Sequence, residues 1–246
     1  MKQTELIMGM PITILVEGTS VSKTDLEAAF DRFHEIDEAY SPYKITSEVS
    51  RINKGLEKAK WSSEMKHIIS LCEQTTRETH GFFEAFYNGQ FDPSGLVKGW
   101  AIQQVAHLLK SRDLSHFFID AGGDIQVSRP ANNNTPWRVG IRNPMNREEI
   151  IKVVGVTHEG VATSGTYIRG NHIYNPISKK PADAIASLTV IGPNIYEADR
   201  FATAAFAMGP SGITFIESLE GFEAYMVDNN RIATFTSGFE RYSISS

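Results

Sequence analysis

Two oxygen-bearing side chains stand four residues apart in an otherwise apolar stretch late in the chain. Asp199 and Thr203 lie within Glu197–Gly209, where most other residues are alanine, phenylalanine or methionine, as in a buried helix. Residues i and i+4 share one helix face, so the carboxylate and the hydroxyl would converge. Such a pair suits Mg²⁺, which takes one or two carboxylates and leaves other positions to water and phosphate oxygens. The alternative is that Asp199 caps the helix and Thr203 bonds its own backbone.

A second segment combines an acid, small residues and a lysine at the start of a predicted helix. Asp92 precedes Ser94 and Gly95, and Lys98 follows within the first turn. Backbone amides at a helix start and a lysine charge can together hold phosphates. The spacing does not match a Walker loop, which also needs Ser or Thr after the lysine. A capped helix with a solvated lysine is the alternative. If Lys98 instead neutralises a phosphate, replacing it by methionine keeps the aliphatic stem and the helix propensity, so we expect stability to remain almost unchanged.

Two further segments carry groups that could act on a ligand. Gly122 and Gly123 stand between Asp120 and Asp124 directly after a strand, which permits close approach of the backbone to a ligand. A tight β turn is the alternative. His172 is the best acid/base candidate because its pKa range lies near neutrality, although a strand histidine is more often structural.

The elements that must position these groups change in type along the chain. Apolar spacing and capping residues predict helices at 25–40, 48–53, 63–80, 95–109, around Asp199 and at 213–219. Short β-branched runs predict strands at 7–16, 117–119, 125–128, 137–141, 150–156, 173–174, 187–191, 224–227 and 232–235. Helices mostly early and strands mostly late favour an α+β fold, with a largely antiparallel or mixed sheet and packed helices.

Composition excludes several classes of function. The 246 residues carry a net charge of −5 without a long basic run, which argues against nucleic acid as a partner. The single cysteine, Cys72, excludes an internal disulfide framework and falls at a helical core position, so a buried, inert thiol is expected. The first apolar run, Leu6–Met10, is too short for a signal or a membrane span, so we expect a cytoplasmic protein. A chain that had lost a leader and gained a new Met1 would look the same.

In this order, the segments resemble the FAD:protein FMN transferase family, also called the thiamine-biosynthesis lipoprotein family. The resemblance covers nearly the whole chain, from Met8-Gly9-Met10 to Met208-Gly209. Between these ends it rests on further matching positions: Tyr43, Ser47-Glu48, Asn53, Gly81 to Glu84, Asp92 to Gly99, Gly122-Gly123-Asp124, Ser164-Gly165, His172 to Pro176, Ala198-Asp199 and Thr203.

The resemblance implies one flavin-transferase domain over residues 1–246. Such a protein binds FAD with Mg²⁺ on its pyrophosphate and attaches FMN through a phosphoester to a Ser or Thr of a partner flavoprotein, releasing AMP. Position by position, it implies metal ligation by Asp199, Thr203 and the Gly95 carbonyl. It places the FAD contacts at Met8, Tyr43, Phe82, Phe83, Glu84, Asp92, Lys98 and Ile173. His172 is the predicted proton acceptor, ahead of Asp92 and Glu84.

The chain departs from the family pattern at several positions. Asn175 stands where aspartate is usual, Thr166 where an acid is common, and Pro93-Ser94 where Leu-Gly is more usual. Fewer acids would therefore reach the site. Two alternatives stay open: a hydrolase, in which water replaces the hydroxyl at the same site and FAD is split to FMN and AMP, and a flavin-binding protein without catalysis, which these departures favour.

Overall fold

A computed structural model describes residues 1–18, 21–130, 135–165 and 173–244. Its helices follow the predicted apolar spacing: α1 (Lys23–Tyr40), α2 (Glu48–Asn53), α3 (Ser63–Glu78), α4 (Ser94–Ser111), α5 (Ile195–Met208) and α6 (Gly212–Glu217). Its strands are β1 (Lys2–Ile7), β2 (Met10–Val16), β3 (Phe86–Tyr87), β4 (Gln90–Phe91), β5 (Phe117–Ala121), β6 (Asp124–Val127), β7 (Trp137–Asn143), β8 (Asn146–Val156), β9 (Gly160–Gly165), β10 (Tyr174–Asn175), β11 (Lys180–Pro181), β12 (Ile185–Gly192), β13 (Glu223–Asp228) and β14 (Ala233–Phe235).

The main sheet contains eight strands in the order β1-β2-β5-β6-β9-β12-β13-β14. All neighbouring pairs in it are antiparallel. The predicted α+β fold with a largely antiparallel sheet is confirmed.

The two faces of this sheet are covered differently. On one face, apolar side chains of α1, α3, α4 and α5 form a core with sheet residues such as Ile14, Ile119 and Leu188. On the other face, the β7–β8 hairpin packs Val139 and Val154 among Val127, Val161 and Ile191 of the sheet. The helices and the hairpin therefore lie on opposite sides, and a ligand at the end of the sheet can touch both.

The N-terminal strand prediction was wrong in its extent. The chain forms a hairpin in which β1 and β2 are joined at Met8-Gly9, both with positive φ, instead of one strand over 7–16. Strand β1 escaped notice because four of its six residues are polar, which is common in an edge strand. Pro11 lies in β2, where its carbonyl accepts a hydrogen bond from the Gly122 amide at 3.1 Å.

Strand β9 was also missed as a strand. Its sequence is built from small and hydroxyl residues, which have no apolar alternation, yet the segment pairs with both β6 and β12. Gly160 shows why small residues are needed, since an added Cβ would lie 2.1 Å from the Ile195 backbone nitrogen.

No described helix has both the length and the apolar composition of a membrane span.

Cys72 should be unreactive in the folded protein. It lies on α3 with 2% of its surface exposed, and burial raises the pKa of its thiol to about 12. At pH 8 the thiolate population should fall roughly a thousandfold relative to the unfolded chain, with blocked access slowing reaction further. We expect a thiol reagent to label Cys72 only after unfolding in denaturant. Rapid labelling of the native protein would contradict this placement.

Candidate active site

A cavity of about 1170 Å³ opens where the N-terminal part of α4 and the Asp199–Thr203 part of α5 meet the turn between β5 and β6. Its helix side carries Gly95, Lys98, Asp199 and Thr203. The β5–β6 turn contributes Asp120, Gly122 and Gly123. The segment of His172 contributes Ile173 to the lining. The structure therefore brings parts of all four segments singled out from sequence to one place.

Glycine at position 99 lets α4 and α5 approach closely enough to form this site. A Cβ there would lie 2.7 Å from the Asp199 Cβ and 2.9 Å from the Ile195 carbonyl oxygen, distances that real Cβ atoms do not show. One turn earlier, a Cβ on Gly95 would lie 3.2 Å from the Thr203 Cγ2. The hydroxyl of Thr203 donates to the Gly95 carbonyl oxygen at 3.3 Å. The two helices thus present their oxygen atoms side by side.

Asp199 is a buried acid inside α5 rather than the cap of that helix. Asn194 is the N-cap, with its side chain accepting from the Glu197 amide at 3.0 Å, so the capping alternative for Asp199 is wrong. The Oδ2 atom of Asp199 accepts from the Gly99 amide at 2.8 Å. Only 3% of Asp199 is exposed, and burial raises its pKa to about 7 despite the attraction of Lys98. A nearby cation would offset the cost of ionising it.

Lys98 lies between two buried carboxylates. Its Nζ atom forms an ion pair with Asp124 Oδ2 and lies 3.5 Å from Asp199 Oδ1. Asp124 also accepts from the Thr163 amide at 3.1 Å, which fixes it to β9. Lys98 is therefore no solvated surface lysine, and the expectation that its removal leaves stability unchanged does not fit this structure.

The donor atoms around Gly95, Asp199 and Thr203 fit a magnesium ion in chemical type. They are a backbone carbonyl, a carboxylate and a hydroxyl, all hard oxygen ligands. Among the described residues there is no cluster of three or more His, Cys, Asp or Glu side chains that could hold a metal without other help. An ion here would depend on backbone, hydroxyl and ligand oxygens, as Mg²⁺ at phosphate sites does.

Most of the residues predicted to contact FAD line the cavity. These are Phe82, Phe83, Glu84, Asp92, Lys98 and Ile173. Two are placed elsewhere: Met8 packs partly buried at the β1–β2 turn beside lining residues Gly9 and Met10, and Tyr43 is 91% exposed outside the lining. His172 and Thr166 lie outside the described residues. The individual roles of all these residues remain predictions.

The departure at Asn175 has a structural role. Its side-chain nitrogen donates to the Ala207 carbonyl at 2.9 Å, and its Oδ1 accepts from the Ile177 and Ser178 amides at 2.9 Å each. A carboxylate could accept from the two amides but could not donate to Ala207. Asn175 therefore ties the β10–β11 turn to the end of α5.

Sequence reasoning missed the second wall of the cavity. Arg138 and Arg142 on β7 line it, together with Gly140 between them and Ile150 on β8. The alternation Trp-Arg-Val-Gly-Ile-Arg indicated a strand with one polar face, but nothing in it shows which ligand or element that face meets. Asp120 was noticed only as part of a turn. It lines the cavity, accepts from the Gly123 amide at 2.8 Å, and has its pKa raised by burial.

The fold and the cavity together define an α+β protein with an acidic, oxygen-lined site suited to a cation and a phosphate ligand. The chain belongs to the ApbE family, whose model matches residues 8–89 and 85–226. The family resemblance drawn from the sequence is therefore confirmed.

Relatives and solved structures agree with this membership. The chain is 29% identical over 146 residues to the FAD:protein FMN transferase of Escherichia coli K12 and 31% identical over 147 residues to that of Klebsiella pneumoniae. Each match covers 55% of this chain and 42% of the relative, so the matched segment spans less than half of these proteins. The ApbE protein of Thermotoga maritima superposes with a TM-score of 0.90 at 20% identity, covering 100% of this chain and 99% of that one. The flavin transferase ApbE of Vibrio cholerae gives 0.84 at 19% identity, covering 98% of each chain.

Lys98→Met should destabilise the protein in the absence of ligands. It leaves two buried carboxylates without their counter-cation, and we expect a loss of about 3 kcal/mol in the free energy of unfolding, the low end for a broken buried pair because Lys98 is partly exposed. Lys110→Met, an exposed lysine on the same helix, should change it by less than about 0.5 kcal/mol. Urea denaturation of both variants measures the difference.

Asp124→Asn added to Lys98→Met should restore part of the loss, because it removes one of the two stranded charges. Equal stability of the Lys98 and Lys110 variants would show that Lys98 is not held by these acids.

Proposed function

We propose that this protein transfers the FMN part of FAD to a Ser or Thr hydroxyl of a partner flavoprotein in a Mg²⁺-dependent reaction that releases AMP. The observation that carries the proposal is the meeting of Asp199, Thr203, the Gly95 carbonyl and Lys98 at one cavity, in a chain of the ApbE family. An FAD pyrophosphate needs this combination of oxygen ligands for a metal and a cation for its own charge.

The metal would be held by Asp199, Thr203 and the Gly95 carbonyl. When bound, it would supply charge neutralisation on the pyrophosphate and fix the phosphorus for in-line attack. The side chain of Lys98, already 3.5 Å from Asp199, adds a positive charge next to the same position. Ser94 and Gly95 present the N-terminal end of α4 to the cavity, and this end of a long helix favours anions.

The reaction balances without any further co-reactant. The acceptor oxygen forms a bond to the FMN-side phosphorus, and the bond from that phosphorus to the bridging oxygen breaks, so that AMP leaves with the oxygen. The hydroxyl proton passes to a general base, for which His172 remains our prediction. Among the lining residues, Phe82, Phe83 and Ile173 would supply apolar surface for the flavin or the adenine. The cytoplasmic location expected from the sequence also remains a prediction.

Incubation with FAD and Mg²⁺, with and without a hydroxyl-bearing flavoprotein acceptor, tests the proposal through AMP release. AMP that requires the acceptor supports transfer, with the flavin found covalently on the acceptor. Equal release of AMP without the acceptor would show that the reaction is hydrolysis and not transfer, with water as the nucleophile at the same site. Intact FAD bound by the protein under all conditions would leave only a binding function.

Asp199→Asn should lower turnover by about a hundredfold or more at limiting Mg²⁺, because a bound metal contributes several kcal/mol to the stabilisation of the transition state. The amide keeps the size of the side chain and can still accept from the Gly99 amide, so the fold should persist. Asp31→Asn, at an exposed position of α1, is the matched control and should leave turnover unchanged. Full activity of a folded Asp199→Asn protein would show that Asp199 does not bind the metal.

A further inference from the structure

The segment that carries three of the predicted FAD contacts has a fixed backbone. Phe82, Phe83 and Glu84 follow α3 after a short turn. The buried hydroxyl of Thr79 accepts from the Phe83 amide at 3.1 Å. The Phe83 ring lies so close to Gly95 that a Cβ there would be 3.3 Å from the Phe83 Cε2. Glu84 comes next, and its side chain is exposed at the cavity, where a long side chain has several rotamers open to it.

The β10–β11 hairpin lies over this segment and contacts it at two points. Tyr174 in β10 donates its hydroxyl proton to Glu84 Oε2 at 2.8 Å. Ile177, in the turn of the same hairpin, covers Gly81, where a Cβ would lie 3.3 Å from the Ile177 Cδ1. Asn175 ties the hairpin to the end of α5. The two contacts therefore flank the pair of phenylalanines and join the segment to the helix that carries the proposed metal ligands.

The phenol of Tyr174 is itself held in place. Its ring packs against the ring of Tyr87 in β3, with 4.0 Å between the centroids and 39° between the planes. Both rings line the cavity, as does Glu84. Burial and the charge of Glu84 raise the pKa of Tyr174, so the phenol keeps its proton at neutral pH and acts as a donor. The hydroxyl therefore meets the Glu84 carboxylate from a fixed position.

A carboxylate that is already oriented binds a ligand at lower cost. Each long side chain that becomes immobilised on binding lowers the affinity, and orientation before binding removes this loss. The bond from Tyr174 does not exhaust the acceptor capacity of Glu84, because an ionised carboxylate has about four lone-pair sites on two oxygens. FAD carries suitable donors in its amino, imide and hydroxyl groups. Glu84 can thus accept from FAD while Tyr174 holds it.

We propose that Tyr174 is a positioning residue for FAD, which holds the Glu84 carboxylate in the direction that accepts a hydrogen bond from the ligand. This inference rests on the proposed function, in which FAD is the substrate, and deepens it by adding a residue that acts through a predicted FAD contact. It concerns the binding of FAD and is independent of whether a protein hydroxyl or water is the nucleophile.

Tyr174→Phe removes the hydroxyl and keeps the ring that packs on Tyr87, so the hairpin should persist. We expect FAD to bind about threefold to tenfold more weakly, the range for one long side chain that must become ordered on binding. Titration of FAD without an acceptor, followed by the anisotropy of the flavin fluorescence, measures the affinity. Tyr242→Phe is the matched control, because it removes a phenol hydroxyl from a half-buried position outside the cavity lining. It should bind FAD as the wild type does.

A double-mutant cycle with Glu84→Ala separates positioning from a direct contact of Tyr174 with FAD and from a general loss of structure. Glu84→Ala alone should weaken FAD binding. Without the carboxylate there is nothing for the hydroxyl to hold, so adding Tyr174→Phe should change the affinity by less than about twofold more. In turnover, Tyr174→Phe should raise the KM for FAD and leave kcat at saturating FAD within about twofold of the wild type.

Three results would overturn the positioning role. These are unchanged FAD affinity in Tyr174→Phe, the same severalfold loss when Tyr174→Phe is added to Glu84→Ala, or a lowered kcat with an unchanged KM for FAD. Failure of the transferase proposal is distinguishable, because absent or acceptor-independent AMP release with intact FAD binding would remove transfer and leave the result for Tyr174 standing. A wild type that binds no FAD would overturn both proposals.

Discussion

The close approach of α4 and α5 at Gly99 is the contact on which the whole site depends. With any side chain there, the Cβ would lie 2.7 Å from the Asp199 Cβ, so the helices would have to move apart and the hydrogen bond from the Gly99 amide to Asp199 would be stretched. That bond and the proximity of Lys98 are what allow a carboxylate to lie 3% exposed at the end of a cavity. Asp124 completes the arrangement from the sheet by pairing with the same lysine. The helix pair, the sheet and the cavity are thereby joined through one buried charge cluster.

This cluster also gives a physical account of why a cation and an anionic ligand should bind together. Burial makes the charged form of Asp199 costly, and a dication next to Asp199, Thr203 and the Gly95 carbonyl would stabilise it. If a metal were held by Asp199, it would weaken the attraction between Asp199 and Lys98, and the ammonium of Lys98 would then be closer to availability for a phosphate. The chain belongs to the ApbE family, and the relatives it matches are named FAD:protein FMN transferases. The matched segment covers 42% of the Escherichia coli protein.

Sequence reasoning succeeded where local spacing carries the information and failed where only tertiary contact does. The four-residue interval between Asp199 and Thr203 and the apolar spacing of the helices were enough to predict one shared helix face and the α+β class. The pairing of Lys98 with Asp124 could not be predicted, because they are 26 positions apart in the sequence, with the rest of α4 and the whole of β5 between them. The polar edge strand β1, the small residues of β9 and the orientation of the β7 arginines likewise depend on what packs against them. Position 172, the predicted base, lies outside the described residues.

The most direct test is a crystal structure with FAD and Mn²⁺ in place of Mg²⁺, with the metal located by its anomalous scattering. The account predicts one strong peak at direct coordination distance from the Asp199 carboxylate, the Thr203 hydroxyl and the Gly95 carbonyl, about 2 to 2.5 Å, with pyrophosphate oxygens completing its ligands. Lys98 should then contact a phosphate oxygen. A metal bound away from these three groups, or an FAD pyrophosphate lying remote from α4 and α5, would contradict the account.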